Sequence, residues 1–217
     1  MKSPKSAVAA PKAAAKSRNK PAAVDAEPAR RRAKAAAPAP EPKPYHHGNL
    51  RETLLAAADV VLARQGASGI TLRDVAKAAG VSHAAPKNHF GDLSGLLSDL
   101  AARGFERLAA VMQAELGATG AADERLTAIG RGYVAFARGH PGMFLLMFRS
   151  ERLDMQRPAL RDAVQTSTRV LTDAVSARHG GHVEHSLSLP QAAQMVAAWS
   201  LVHGFAMLLL DGRLASI

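Results

Sequence analysis

The chain of 217 residues contains no cysteine. That excludes a disulfide framework and any thiolate metal site, and it fits a cytoplasmic protein. Aromatic residues make up only 4% of the sequence. Proline is scarce in most of it, because eight of the twelve prolines lie in residues 1–44. Acidic residues are scarce in that same stretch. There, eleven lysines and arginines face only Asp25, Glu27 and Glu41, a surplus of +8 out of the formal +10, which leaves +2 for everything after residue 44. Repeated Ala, Pro and Lys break helices and carry too little bulky apolar surface to offset chain entropy. Residues 1–44 are therefore predicted to be a disordered basic tail. The alanine runs are interrupted by Lys, Arg and Pro, so they do not form the apolar centre of a secretory signal.

No alternating apolar and polar run is long enough to argue a strand, and the chain beyond residue 44 reads as all helix. "NLRETLLAAADVVLARQG" has a capping-box start, with Asn49 as N-cap and Glu52 three residues on. Its Leu50, Leu54, Ala57, Val61 and Leu62 share one face, and Gly66 supplies the stop. "TLRDVAKAAG" repeats the plan in short form: Thr71 caps, Asp74 sits at the positive helix end, Val75 and Ala79 face inward, and Gly80 ends it. After Val81, a Ser82 cap should open a very short helix closed by Phe90. Longer helices come after it, from Asp92 or Ser94 to about Leu116, then over "ADERLTAIGRGYVAFARG" to Gly139. "PGMFLLMFR" comes next with Pro141 in its first turn, and then 158–178 and about 189–210, with Gly212 as the last stop.

A six-residue helix is not stable alone, so its neighbours must hold it and its polar face needs a use. Two short capped helices joined by "AGVS" match a helix-turn-helix, whose second helix enters the major groove. Small residues at Ala76, Ala79, Gly80 and Ala84 would let the two helices approach. Thr71 and Ser82 place a hydroxyl and free backbone amides at helix starts, a natural phosphate contact. His83, Lys87, Asn88 and His89 are groove-compatible donors: lysine serves guanine O6 and N7, and asparagine pairs with adenine. Pro86 is tolerable where the first turn ends, costing at most one backbone bond. On "AGVS" alone, a solvated polar face on a small core helix is a competing reading.

The longer stretch "NLRETLLAAADVVLARQGASGITLRDVAKAAGVSHAAPKNHFGDLSGLL" resembles the DNA-binding region of the TetR family of bacterial transcriptional regulators. "YHHGNLR" (Tyr45 to Arg51) is similar to the lead-in of one branch of that family, and "AWSLVHGF" (Ala198 to Phe205) resembles the Trp–His–Gly signature of that branch's C-terminal domain. The resemblance implies an all-α fold in three parts: the tail 1–44, a helix-turn-helix domain 45–92, and a helical ligand-binding and dimerisation domain 93–217. It implies a double-stranded DNA operator as partner, contacted through Thr71, Arg73, Ser82, His83, Ala84, Lys87, Asn88 and His89. Two departures stand out. The family usually has a phosphate-contacting tyrosine where Lys87 stands and a phosphate-contacting lysine where Leu93 stands. Lys87 restores a charge, as a flexible point charge rather than a planar group.

The segment between Glu184 and Asp211 carries no Lys, Arg, Asp or Glu, which invites a transmembrane reading. Gln191, Gln194, Ser200 and His203, together with the many alanines, argue against it, and no membrane partner is expected. In the family resemblance the last two long helices pair with those of a second copy, so Ala193, Ala197, Ser200 and Gly204 are the expected homodimer contacts. Trp199 and His203 lie one helical turn apart. They are either a ligand-pocket wall or a core tryptophan with a satisfied histidine, and both readings stand at this point. The same holds for Tyr133, Phe136, Met143, Phe144 and Met147, in the richest aromatic and methionine stretch of the chain, where methionine suits irregular apolar ligands. His179, His182 and His185 lie in a glycine loop without a strong zinc spacing, so no metal and no cofactor is expected. No nucleophile, histidine and acid arrangement and no phosphate-cradling glycine motif stands out, so the chain is not expected to be an enzyme. The expected function is a ligand-responsive repressor that binds a palindromic operator as a homodimer. It would respond to an unknown small apolar effector in the bacterial cytoplasm, associated with the nucleoid. The alternative is an architectural nucleoid protein acting mainly through the basic tail.

Overall fold

Eight α-helices and no strand make up the described residues of the computed structural model, 50–118, 124–178 and 187–215. They belong to the unit Tyr45–Ile217. The basic tail, the Asn49 cap and the three histidines of the 179–186 loop lie outside the described residues. The helices are α1 (Leu50–Gly69), α2 (Leu72–Ala79), α3 (Ala85–Phe90), α4 (Leu93–Gly117), α5 (Arg125–Gly139), α6 (Pro141–Met147), α7 (Pro158–Arg178) and α8 (Leu189–Leu210).

The caps explain most of these boundaries. Thr71 is extended and its side chain accepts from the Asp74 amide, and Gly80 ends α2 in the left-handed conformation at φ 67°. The Val81 amide reaches back to the Ala76 carbonyl at 3.1 Å, completing a Schellman closure. Asp92 starts α4 by accepting from the Gly95 amide at 2.8 Å. Pro141 and Pro158 sit in first turns, where a missing amide hydrogen costs nothing. Gly66 breaks α1 as expected, with φ 70° and ψ 173°, a region only glycine enters freely. The chain then winds one further turn to Gly69, so the break is a kink and not a stop.

Ser82 is not the cap of α3. The Ala85 amide closes a single turn on the Ser82 carbonyl at 3.1 Å, regular helix begins at Ala85, and Ala84 occupies the N-cap position without a side-chain acceptor. Pro86 therefore falls in the first turn, where no intrahelical donor is due, and its missing amide hydrogen breaks no backbone bond.

α1, α2 and α3 close a small core on the start of α4. Leu54, Val75 and Phe90 are buried together, with Leu62, Ile70 and Leu96 around them. Leu93, where the family's lysine would stand, packs partly buried against this core. A ladder of ion pairs fixes the seam between α1 and α4: Arg51 with Asp99, Glu52 with Arg103, and Asp59 with Arg107. Asp99 is the buried member, its side chain 3% exposed, and Arg157, just before α7, grips both of its oxygens at 3.0 Å. Burial and the neighbouring Arg107 and Arg51 lower the Arg103 pKa, whereas the hydrogen bond to Asp99 raises that of Arg157. The remainder of α4 packs on α5, α6 and α7, and α8 lies on α5 and α7.

Candidate nucleic-acid interface and apolar cavity

α3 has two faces. Ala85, Pro86 and Phe90 are buried, whereas Ser82, His83, Ala84, Lys87, Asn88 and His89 are exposed. Ala84, expected at a helix contact, is among the outward residues. Thr71 and Arg73 at the start of α2 are also exposed, so all eight expected DNA contacts lie at the surface of α2, α3 and the turn between them. The Thr71 hydroxyl is already engaged: it accepts from the Asp74 amide at 3.2 Å and donates to Asp74 Oδ2 at 2.5 Å. A phosphate at this helix end would thus meet backbone amides and the Arg73 side chain rather than a free hydroxyl donor. Lys77, one turn further along α2, adds an exposed cation that the sequence pattern did not single out.

α4 leads from this head to a cavity of about 170 Å³. Its walls are Phe105, Leu108 and Met112 of α4, Leu126, Ile129, Gly130 and Tyr133 of α5, and Phe148 beyond α6, with Val164, Ser167, Thr168 and Leu171 of α7 and Met195, Ala198, Trp199 and Val202 of α8. Among the described residues no charged side chain lines it. Ser167 and Thr168 both donate their hydroxyl hydrogens to the Val164 carbonyl, at 2.9 and 2.8 Å. Of the seven residues expected at a pocket, Tyr133 and Trp199 line the cavity. Phe136, Met143, Phe144 and Met147 are instead buried in the core behind it, where α5 and α6 pack on α4. The sequence did not point to the cavity residues on α4 and α7, because a single apolar side chain does not reveal which side of a helix faces a void.

His203 joins this wall from behind. Tyr133 Oη stands 2.8 Å from His203 Nδ1, within hydrogen-bond distance. An unprotonated Nδ1 accepts from the phenol O–H in this bond. Burial pushes the Tyr133 phenol well above its ordinary value, which keeps that proton in place. The imidazole is packed against Phe148 at 4.5 Å and Phe144 at 5.6 Å between ring centres. Its burial lowers the His203 pKa below 6.5. A histidine lowered in the folded state stabilises fully above pH 6.5 and loses that contribution as pH falls through its folded value. Thermal unfolding is accordingly expected at lower temperature at pH 5.5 than at pH 7.5, and His203→Gln should reduce this acid-side loss. An unchanged pH profile in the variant would show that His203 is not the group involved.

Apart from Ser200, the α8 side chains that turn away from the bundle are apolar. Leu189 is 85% exposed, Leu201 77%, Val196 51% and Phe205 47%. Ala193, Ala197 and Ser200 are exposed with them, and Gly204 is half-buried at their edge. By length and composition this helix is long and apolar enough to cross a membrane. Its other side is tied into the bundle through α5, α7 and the Tyr133–His203 bond. Among the described residues no cluster of His, Asp and Glu has metal-binding geometry.

Comparison with known proteins supplies two family matches. Residues 54–100 match the family described as bacterial regulatory proteins, tetR family. Residues 126–217 match the tetracyclin repressor-like C-terminal domain. Among curated proteins, none matches the chain. Among solved structures, a protein of unknown function from Rhodococcus sp. RHA1 is 32% identical over 81% of this chain and 90% of its own, with a TM-score of 0.68. A bacterial regulatory protein in the tetR family from Rhodococcus RHA1 is 22% identical, covering 73% of this chain and 83% of its own, with a TM-score of 0.53. The TetR-like regulator LfrR from Mycobacterium smegmatis, in complex with proflavine, is 19% identical over 76% of this chain and 86% of its own, with a TM-score of 0.52.

Proposed function

Since the chain belongs to the TetR family, and is thus a DNA-binding transcription regulator and not an enzyme, we propose that it is a ligand-responsive repressor. In this reading a homodimer holds two copies of α3 in successive major grooves of a palindromic operator. The observation that carries the reading is the course of α4. This single 25-residue helix starts against the end of α3 and lines the apolar cavity with Phe105, Leu108 and Met112. A molecule that prefers one shape of the cavity then biases the posture of the reading head.

The wall chemistry supports one effector class. With no charged residue among the described lining residues, and with the Ser167 and Thr168 hydroxyls donating to the backbone, a charged ligand would sit uncompensated. The effector is a small, uncharged, largely apolar molecule. Compounds of that class that raise the melting temperature of the purified protein should weaken its complex with operator DNA. Stabilising compounds that leave operator affinity unchanged would count against ligand control.

Lys87 takes the place of the family's phosphate-contacting tyrosine and is exposed at the outer face of α3. Lys87→Ala is expected to weaken binding to all DNA sequences alike. It should also flatten the salt dependence by about one unit of slope for each phosphate that Lys87 neutralises. Relaxed preference at one operator position would instead assign Lys87 to a base, and unchanged binding across salt concentrations would remove it from the interface.

A further inference from the structure

The connection between α6 and α7 reaches back to the DNA-binding head at both ends of its helix-turn-helix. Arg152 Nη1 donates to the carbonyl of Ala67, in the last turn of α1 just before α2 begins. Arg157 places Nη1 3.5 Å from the carbonyl of Phe90, the last residue of α3. That contact is long, but the position of the guanidinium is fixed elsewhere, by two 3.0 Å bonds to the buried Asp99 carboxylate. Between the two arginines the Asp154 amide donates to Ser98 Oγ at 2.7 Å, and Leu153 is buried. Gly95 makes the approach possible: a Cβ there would stand 2.1 Å from the Phe90 carbonyl oxygen and 2.8 Å from Arg157 Nη1. The same connection leaves the cavity wall at Phe148 and rejoins it at Val164.

We propose that the 149–157 connection is a clamp that sets the posture of the helix-turn-helix from the cavity domain, with Arg152 and Arg157 as its positioning residues. Arginine suits the role because one planar fork can hold a carboxylate with two donors and still offer a third to a carbonyl. Lysine at 157 keeps the charge beside Asp99 but cannot do both. The proposal rests on the reading of α3 as the DNA-contacting helix only for its effect on binding, since the posture itself is measurable without DNA.

The test uses the full chain with Arg157→Lys alone, Arg152→Ala alone, and both together. Hydrogen exchange of the amides in 67–71 and 85–91 is compared with that in α7 and α8, and affinity is measured for the DNA the wild-type protein selects. The double variant should keep its secondary structure, exchange at least tenfold faster in those two segments with α7 and α8 unchanged, and bind the selected DNA about tenfold more weakly. Arg157→Lys alone should affect 85–91, and Arg152→Ala alone 67–71. Exchange that rises uniformly across the chain, or stays at the wild-type rate in both segments, overturns the proposal. Should the wild-type protein select no DNA at all, the functional reading fails while the exchange measurement still decides the clamp.

Discussion

Leu201→Glu is expected to leave each chain folded and to convert the protein from dimer to monomer. Leu201 is 77% exposed in the single chain, so the new carboxylate meets water there and the fold loses little. In a twofold dimer built on the outer face of α8 the same carboxylate is buried without a partner, once in each copy. A buried unpaired charge costs roughly 3 kcal/mol, so two of them weaken the dimer by about four orders of magnitude. A monomer engages one half-site only, and operator affinity should fall by at least about a hundredfold. Light scattering reports the mass and circular dichroism the fold. Gly204→Arg, at the edge of the same face, should act in the same direction. A Leu201→Glu protein that remains a dimer at micromolar concentration would place the subunit contact elsewhere.

Deletion of residues 1–44 has the second large expected effect, and it separates sequence-specific regulation from architectural binding. That segment holds +8 of the formal +10 and eleven of the 28 lysines and arginines. A cationic arm that precedes α1 in the sequence would neutralise phosphates without reading bases, and each phosphate neutralised adds about 0.9 to the salt slope. Affinity for operator and random DNA should both fall, by at least about tenfold at low salt, with a shallower slope and the same preferred sequence. Equal affinity and slope in the truncated protein would make the segment a solubility tail. Loss of all DNA binding by a truncated chain that stays folded and dimeric would favour the architectural reading.

The helix order was legible in the sequence wherever a cap or a stop is local. Thr71 with Asp74, Gly80, Asp92, Pro141 and Gly212 each declare a boundary within four residues of themselves. Ser82 misled because a serine before a short polar helix looks like a cap, whereas the backbone turns once more before α3 begins at Ala85. The outward face of α3 was legible for the same local reason, since three buried residues in six leave the others outside. Contacts across the chain left no such trace. Arg51, Glu52 and Asp59 find partners on α4 48 to 51 positions away, and Arg157 finds Asp99 at 58. No spacing rule links them. The cavity was partly legible: of the Trp199–His203 pair, Trp199 lines it and His203 packs behind it against Phe148. The aromatic and methionine stretch around it proved to be core for Phe136, Met143, Phe144 and Met147, because apolar composition is the same for a void and for its packing.

The central claim is that α3 reads a defined DNA sequence, presented twice by a symmetric dimer. Selection of bound fragments from a random double-stranded DNA pool by the purified full-length protein, followed by sequencing, tests it most directly. The account predicts one enriched motif with twofold symmetry, whose half-sites are centred about one helical turn apart or a multiple of it. A pool recovered without any enriched sequence, at salt concentrations where the protein still binds DNA, would contradict it.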